Sequence, residues 1–412
     1  MEAQTSSGKE EERVWLESLL NKFARDNSVA RILEFNLKQA VPEGVNYASI
    51  INRAKLTVIL HNGQESKLSV IMKKAHEDKE KLETLSAIPI FKSEIKVYNE
   101  ILRKFETLMN EYEDYNEKLW CNLIGYQNYD LIVLEDLKLT NYVIADRKKR
   151  LDLNHSKLVL HSLGRLHALG YILIQKGLLS KEDLPPFYCD ISFIVMDRLY
   201  KCGLITLSKV IEKYWTPEWK EIGKRLSKEH EVVIEKHKRL FQPQENDFIT
   251  MCHGDCWTCN MMFKYSPFEE NYPISLKFLD FQTTHINVYI FDVLYFLFVS
   301  VQPEVRRSNF DQLLSVYQKS LQTALANYGF EDRTPSLKNV QSEAERAEYY
   351  GLTCSLVLSP IGAAQQAGDF KIEYLNDENK WMDSLKEDVF NTDLYKSAVQ
   401  PELRNWFNKG LF

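Results

Sequence analysis

Two stretches of this 412-residue chain each contain an apolar run that is followed by an acidic residue. FITMCHGDCWTCNMMF occupies residues 248–263 and contains Asp255, and SLKFLDFQ occupies residues 275–282 and contains Asp280. Asn260 follows Asp255 by five positions. Both runs read as strands. Carboxylate and amide oxygens at neighbouring strand ends are suited to hold a reacting hydroxyl and a hard cation such as Mg²⁺. The pattern therefore indicates a phosphoryl-transfer site.

Phosphoryl transfer depends mainly on positioning and charge neutralisation, because its transition state is loose. We assign Asp255 as the catalytic base, and Asn260 and Asp280 as ligands that hold Mg²⁺ against the phosphates of ATP. The Asp-x-x-x-x-Asn spacing matches the catalytic loop of protein kinases, and Asp-Phe-Gln stands where those enzymes have Asp-Phe-Gly. A single His-Gly-Asp is a common turn, with His253 capping a strand end. The order and spacing of the motifs favour the functional interpretation.

Composition and charge describe an ordinary globular protein. The chain is 44% hydrophobic and 27% charged, and it is long enough for two lobes with a sizeable core. A net charge of −6 argues against nucleic acid as the main partner, because phosphate backbones bind basic faces. The N-terminus lacks the features of a secretory signal, and the apolar stretch Val288–Val301 is too short to span a bilayer and contains Asp292. We expect a cytoplasmic protein without a membrane span; its oligomeric state is not indicated.

Seven cysteines are scattered without the spacing of a disulfide framework, which fits reduced thiols in the cytosol. Cys252, Cys256 and Cys259 form the one cluster that suggests a metal. A structural zinc site normally needs four ligands, and no further Cys or His pair follows at a suitable spacing. Packed interior thiols are the favoured interpretation.

The N-terminal third contains the predicted phosphate lysine. Apolar positions at helical spacing over about Arg13–Leu37 predict one or two helices. Val45–Leu60 and Leu68–Met72 then read as a β-hairpin. The second strand ends in IMKK, which places Lys73 where a kinase-like fold has the lysine that contacts the α- and β-phosphates. We choose Lys73 over Lys74.

A helix predicted over Ile90–Met109 carries the partner of this lysine. Glu94 is the first choice, because it lies one turn from apolar residues on the expected inner face, and Glu100 is the alternative. No Gly-x-Gly-x-x-Gly precedes the lysine strand; its place is taken by PEGVNYASI, residues 42–50. Backbone amides of this segment and the Ser49 hydroxyl are the candidate phosphate contacts.

A second strand pair, Leu119–Tyr126 and Tyr129–Leu137, contains the run LIVLEDL, which would lead into the connection between two lobes. There, backbone groups of Glu135 and Leu137 can hydrogen-bond an adenine edge. For the side chains of Glu135 and Asp136, a charged strand end is as good an interpretation as a ligand role.

The remaining chain is predicted to be mainly helical. Thr283–Asn287 reads as a polar link into a helix that begins near Val288. Asp292, near the start of this helix, is surrounded by apolar residues, so we expect it to be buried and paired. It either braces the catalytic loop or caps the helix.

The ordered set Lys73, Glu94, LIVLEDL, LGRLHALG, HGDCWTCN and DFQ resembles the ecdysteroid kinase-like family of insect small-molecule kinases, relatives of choline kinases and aminoglycoside phosphotransferases. The resemblance covers nearly the full length and includes Trp257. It implies an α+β, bilobal protein-kinase-like fold, with a small β-rich N-lobe (residues 1–134) and a large helical C-lobe (residues 135–412) that holds the catalytic loop and an acceptor pocket. It also implies ATP and Mg²⁺ as cofactors.

The resemblance implies transfer of the γ-phosphate of ATP to a hydroxyl of a small molecule. A lipophilic or steroid-like acceptor, such as an ecdysteroid alcohol, is suggested, but the sequence does not choose among ecdysteroids, foreign compounds and other alcohols. A protein kinase is disfavoured, because no Ala-Pro-Glu segment follows Asp280 at activation-loop spacing. The alternative from another class is a non-catalytic protein that binds a hydrophobic ligand on a kinase-like fold.

Overall fold

The computed structural model describes residues 6–23, 29–41, 49–75, 90–127, 130–184, 190–360, 374 and 377–412. In these ranges the strands are β1 (Val29–Gln39), β2 (Ile50–Leu60), β3 (Glu65–Lys74), β4 (Leu123–Gln127), β5 (Leu131–Glu135), β6 (Tyr142–Ile144), β7 (Ile249–Cys252), β8 (Met261–Tyr265), β9 (Pro273–Phe278) and β10 (His285–Val288). The α-helices are α1 (Ser6–Phe23), α2 (Ile90–Lys96), α3 (Leu102–Glu111), α4 (Leu153–Gln175), α5 (Asp190–Tyr214), α6 (Lys220–Glu229), α7 (Val233–Leu240), α8 (Ile290–Val299), α9 (Pro303–Asn327), α10 (Leu337–Arg346), α11 (Glu348–Thr353), α12 (Glu378–Ser384) and α13 (Asp393–Asn408).

Strands β1 to β5 form an antiparallel sheet in the order β1-β2-β3-β5-β4. The predicted hairpin is present as β2 and β3, and its turn contains Gly63 at φ 83°, a left-handed conformation that glycine adopts without a Cβ clash. β3 is longer than the predicted Leu68–Met72, because its polar ends also pair with β2. Cross-strand hydrogen bonds, rather than apolar residues, decide where this strand ends.

The prediction of helices throughout Arg13–Leu37 is wrong in its second half. Helix α1 ends at Phe23, and residues 29–39 form β1 at the edge of the sheet, with Leu37 opposite Ala54 of β2. In VARILEFNLKQ, apolar and polar residues alternate from Leu33 to Lys38, a strand period that a short window does not separate from a helical one. Pairing with β2 supplies the ladder of hydrogen bonds that selects the strand.

The C-terminal part is built mainly of helices around α4, which is buried along most of its length. The expected polar link Thr283–Asn287 is wrong: residues 285–288 form β10, which pairs antiparallel with β7, so that His285 lies opposite Cys252. Three of its four residues are buried. Within the described ranges, no helix has the length and apolar character to cross a membrane.

The predicted fold class is confirmed. A small five-stranded sheet, with α1 to α3 around it, is joined to a larger helical part that carries two short sheets, β10-β7 and β6-β8-β9. The connection follows β5 directly: Asp136 and a 3₁₀ turn, Leu137–Thr140. The boundary between residues 134 and 135 stays a prediction, and the end of β5 at Glu135 is compatible with it.

A buried histidine of α7 makes the stability of the helical part sensitive to pH. His237 is fully buried, its Nε2 lies 2.9 Å from Thr353 Oγ1, and burial lowers its pKa to about 3. Between the usual value near 6.5 and about 3, the unfolded chain binds a proton at this site and the folded chain does not. The free energy of unfolding therefore falls by about 1.4 kcal/mol for each unit by which the pH decreases in this window.

We expect His237→Gln, which keeps a partner for Thr353 but cannot titrate, to lose less stability than wild type between pH 6.5 and pH 4. The measurement is urea unfolding at several pH values, and the quantity compared is the difference in slope between the two proteins. Equal slopes would contradict the assignment of a neutral histidine.

Candidate active site

Eight of the eleven predicted site residues line one cleft cavity of about 600 Å³. It lies between the sheet of β1 to β5 and the turns that follow β7 and β9. Its walls include apolar residues from both sides, among them Ile51, Ile71, Leu134, Leu137, Met262 and Leu279. Its polar lining contains the predicted functional residues Lys73, Glu94, Glu135, Asp255, Asn260 and Asp280. An apolar cleft with a few convergent polar groups is the usual form of a small-molecule site.

The turn that carries Asp255 is held from below by Asp292. The Asp292 carboxylate is 2% exposed as a residue and accepts from the backbone amides of His253 (2.6 Å) and Gly254 (2.9 Å). A third contact joins it to His167 Nε2 at 3.1 Å. Burial alone would raise the pKa of Asp292, but the His167 hydrogen bond and charge hold it below its usual value. Asp292 therefore braces the loop, and the helix-capping alternative is not what the structure shows.

His253 also has a structural position. Its Nε2 lies 2.9 Å from the carbonyl oxygen of Leu279, next to Asp280, and its ring packs at 4.8 Å from the ring of Phe281. Burial lowers the pKa of His253, so the neutral ring is favoured. This histidine links the two motifs read from the sequence, and does not itself line the cavity within the described residues.

The Asp255 carboxylate is fixed by two donors. Tyr295 donates to Oδ1 at 2.6 Å, and Asn260 Nδ2 donates to Oδ2 at 2.8 Å. Burial raises the pKa of Asp255 to about 7, and these two hydrogen bonds oppose the rise. A carboxyl group that exchanges a proton near neutral pH is suited to general-base work at that pH.

Lys73 connects the two sides of the cleft. Its Nζ lies 2.6 Å from Glu94 Oε2 on α2 and 2.5 Å from Asp280 Oδ1, and the lysine is 4% exposed. Burial alone would lower the pKa of Lys73, but the charges of Asp280 and Glu94 outweigh it and raise the value. The two alternatives lie elsewhere: Lys74 pairs with Glu12, and Glu100 is exposed.

Asp280 stands in a left-handed backbone conformation, φ 63°, directly before the 3₁₀ turn Phe281–Thr283. Such a conformation is costly for a residue with a Cβ, and it persists where the surroundings over-determine it. Here Phe281 is fully buried, and its ring meets that of Tyr98 edge-on at 5.4 Å. The buried ring anchors the turn and leaves Asp280 in the cavity wall.

Of the three residues predicted to contact the nucleotide beside Lys73 and Glu94, two lie in the described cavity wall and one does not. Glu135 and Leu137 line the cavity, but the Glu135 amide already donates to the carbonyl of Asn122, and its carboxylate accepts from the Asn122 side chain. The Glu135 amide is therefore not free for an adenine edge. Ser49 is buried directly before β2 and is not among the described residues of the cavity wall. Residues 42–48, the rest of the predicted phosphate loop, lie outside the described ranges.

The cysteines of the motif are packed thiols. Burial raises the pKa of Cys252, Cys256 and Cys259, which favours the protonated form. One set of possible metal ligands among the described residues, His167, Cys252 and Asp292, lies within 4.8 Å. The Asp292 oxygens already accept hydrogen bonds from two backbone amides and contact His167. The support that Asp292 gives to the turn of His253 and Gly254 therefore explains why the three side chains lie close together, without a metal.

The oxygen atoms around the cavity suit Mg²⁺. Asn260 donates its amide hydrogens to Asp255, at 2.8 Å to Oδ2, which leaves its carbonyl oxygen as an acceptor. Asp280 adds a carboxylate, and Oε1 of Gln282 is buried without a hydrogen-bond donor. Mg²⁺ binds through a few such oxygens together with waters and substrate phosphates. Asn260 and Asp280 are therefore placed to hold it, with Trp257 beside them in the wall.

Two features of the site were not predicted from the sequence. Tyr295 follows Asp292 by three positions on α8, so both face the same loop. The sequence shows this spacing of three residues, but an aromatic residue in an apolar helix does not by itself indicate a functional role. The second feature is Asp136, whose carboxylate accepts from Arg53 Nε at 2.7 Å and from Ser69 Oγ at 2.6 Å. It ties β2 and β3 to the connection between the lobes.

A substitution at Gly254 measures how tightly the turn that carries Asp255 is enclosed. Its φ is 86°, and a Cβ there would collide with the carbonyl oxygen of Thr283. We expect Gly254→Ala to cost about 2 to 4 kcal/mol of the free energy of unfolding, because steric overlap adds to backbone strain. The control is Gly329→Ala: φ is 75° but no atom lies within 4 Å, so only strain of about 1 to 2 kcal/mol is expected. Equal losses in urea unfolding would contradict the close contact.

Two solved structures resemble the chain. One is a Plasmodium vivax ethanolamine kinase, with 13% identity and a TM-score of 0.40, over 90% of this chain and 83% of that one. The other is a mutant aminoglycoside 2'-phosphotransferase IIIa in its GDP complex, with 9% identity and a TM-score of 0.39, over 96% and 99%.

No curated protein matches the sequence significantly. The model of one protein family, described as the ecdysteroid kinase-like family, matches residues 43–330. That range contains Lys73, Glu94, Asp255, Asn260 and Asp280, the residues that meet in the cleft. Since the match covers well over half of the 412 residues, the chain belongs to the ecdysteroid kinase-like family.

Proposed function

We propose that this protein is an ATP- and Mg²⁺-dependent small-molecule kinase that transfers the γ-phosphate to a hydroxyl of a lipophilic or steroid-like acceptor. One observation carries the proposal: Lys73 contacts Glu94 and Asp280 in the same cavity where Asn260 contacts Asp255. This combination of a cation, a metal-binding carboxylate and amide, and a base matches the needs of phosphoryl transfer.

The nucleotide is proposed to lie in the cleft, with its phosphates near Lys73. Leu134, Leu137 and Met262 supply apolar wall for an adenine ring. Lys73 is oriented by Glu94 and pairs with Asp280 at 2.5 Å. Phosphate oxygens would compete for Lys73, while Asp280 and Asn260 would hold Mg²⁺, which supplies charge neutralisation at the phosphates.

The acceptor hydroxyl would meet the Asp255 carboxylate. The oxygen of the acceptor hydroxyl would form a bond to the γ-phosphorus. The bond from that phosphorus to the β,γ-bridging oxygen would break, with ADP as the leaving group. The proton of the hydroxyl would pass to Asp255. The half-buried carboxyl, whose pKa is raised to about 7 by desolvation, is a suitable proton acceptor. Family membership supports a steroid-like alcohol as acceptor, and the cytoplasm is the proposed location.

The deciding experiment is transfer of labelled γ-phosphate from Mg-ATP to a panel of alcohols: ecdysteroids, choline-like alcohols, aminoglycosides and plant phenolics. We expect one class to be labelled, and Asp255→Asn and Asp280→Asn to lose at least about 100-fold in rate while staying folded by circular dichroism. Transfer retained by Asp255→Asn would contradict its role as base. Acceptor binding without ATP binding would favour the non-catalytic ligand-binding alternative.

Tyr295 is proposed as a positioning residue for Asp255. Removal of its hydroxyl in Tyr295→Phe leaves Asp255 Oδ1 without the donor at 2.6 Å. We expect kcat to fall about tenfold, with KM for ATP little changed, because the hydrogen bond orients the base and does not bind the nucleotide.

The matched control is Tyr328→Phe, which removes a similar tyrosine hydrogen bond, 2.7 Å to Asp114, outside the cleft. This variant should lose comparable stability and keep kcat. Steady-state kinetics and urea unfolding of both variants separate positioning from stability. A similar fall of kcat in both would show that only stability is affected.

A further inference from the structure

Gln282 occupies an unusual position in the cavity wall. Its side-chain Oε1 is buried and has no hydrogen-bond donor, although the residue lines the cleft together with Asn260 and Asp280. A buried acceptor without a donor costs about 1 to 3 kcal/mol. Such a cost is retained where a ligand supplies the missing partner.

We propose that Gln282 is a third protein ligand of the divalent cation, through its amide oxygen. The inference rests on the proposed function, because it needs a cation at Asn260 and Asp280. It adds a residue that the motif comparison with Asp-Phe-Gly cannot supply, since glycine has no side-chain oxygen.

The backbone places Gln282 for this role. Asp280 and Gln282 flank Phe281 on the turn, and the ring of Phe281 is fully buried against Tyr98 and His253. Because the middle residue points into the core, its two neighbours are left to the cavity, and both line it. The left-handed backbone of Asp280, φ 63°, sharpens the turn that brings them to one side.

The donors of the neighbouring site residues are engaged elsewhere. Lys73 Nζ binds Glu94 at 2.6 Å and Asp280 at 2.5 Å, and Asn260 Nδ2 binds Asp255 at 2.8 Å. Two carboxyl groups, those of Asp255 and Asp280, lie in the same wall, and Lys73 pairs with Asp280. A hard divalent cation accepts amide oxygens as ligands, and it would satisfy Oε1 without moving these donors.

The resulting ligand set has a consequence for affinity. Two neutral amides, Asn260 and Gln282, and a single carboxylate, Asp280, offer less charge than two or three carboxylates would. Binding of the cation to the protein alone should therefore be weak, and the nucleotide phosphates should supply the remaining ligands. A carboxylate in place of Gln282 should raise the affinity for the cation.

Mn²⁺ is the probe, because its free concentration is measured by electron paramagnetic resonance without any turnover. The full chain is titrated with Mn²⁺ in the presence and in the absence of ADP, as wild type, Gln282→Met and Gln282→Glu. Methionine keeps the length of the side chain and removes the amide oxygen. The matched control is Gln341→Met, on α10 outside the cleft, whose amide nitrogen contacts Asp311.

In the ADP complex, we expect Gln282→Met to weaken Mn²⁺ binding about tenfold or more, Gln282→Glu to strengthen it, and Gln341→Met to leave it unchanged. Binding of ADP without metal should be equal in wild type, Gln282→Met and Gln341→Met, which shows that the cleft is folded, whereas the added carboxylate of Gln282→Glu repels the phosphates in the absence of the cation. Wild-type affinity in both Gln282 variants would overturn the inference.

The outcomes separate this inference from the proposed function. If wild type binds Mn²⁺ with ADP and Asp280→Asn does not, but Gln282→Met binds like wild type, only the role of Gln282 falls. If Gln282→Met weakens ADP binding without metal, Gln282 is a nucleotide contact and the inference is overturned. If wild type binds neither ADP nor Mn²⁺, the proposed kinase function falls and this inference with it.

Discussion

The buried ammonium of Lys73 is the interaction on which the cleft depends. It meets a carboxylate from helix α2 and one from the turn after β9, so a single cation joins the sheet, the helix and the catalytic part of the chain. Removing one partner of such a buried group is expensive, since the others remain as uncompensated charges. The cavity wall as a whole nearly balances its charges, with the cationic side chains Arg53, Lys73, Lys138 and Arg147 and the carboxyl groups of Glu94, Glu135, Asp136, Asp255 and Asp280. The proposed Mg²⁺ would add positive charge beside Asp280, and the anionic nucleotide would meet the cationic side chains of the same wall.

A second constraint comes from helix α8. Asp292 accepts the amides of His253 and Gly254, and Tyr295, one turn later, donates to the carboxylate of Asp255. One helix therefore fixes both the backbone of the turn that carries Asp255 and the Asp255 side chain. Because α8 is almost entirely buried, its own position is set by core packing and not by solvent-exposed contacts. The geometry of Asp255, the proposed base, is in this way coupled to the hydrophobic core.

The sequence predicted the parts of the site that depend on local spacing. Asp255, Asn260 and Asp280 come from two short motifs, and Lys73 follows from its place at the end of an apolar strand. It did not predict β1 or β10, because both strands are selected by partners distant in sequence, Ala54 opposite Leu37 and Cys252 opposite His285. For the same reason the donors around Asp255 and Asp136 were missed. A hydrogen bond such as that of Arg53 to Asp136, 83 residues apart, leaves no pattern in a single sequence.

Asp255 and Asp280 differ in how they are satisfied, and the difference bears on the order of events in the cleft. Asp280 already has a cationic partner in Lys73, whereas the side chains that donate to Asp255 in the described part of the chain, Tyr295 and Asn260, are neutral. Burial holds the pKa of Asp255 near 7, and the negative charge of Asp280 contributes to this. A cation bound against Asp280 would reverse that contribution, since a bound divalent ion favours nearby anions. The proposed Mg²⁺ would in this way counter the effect of Asp280 on the proposed base.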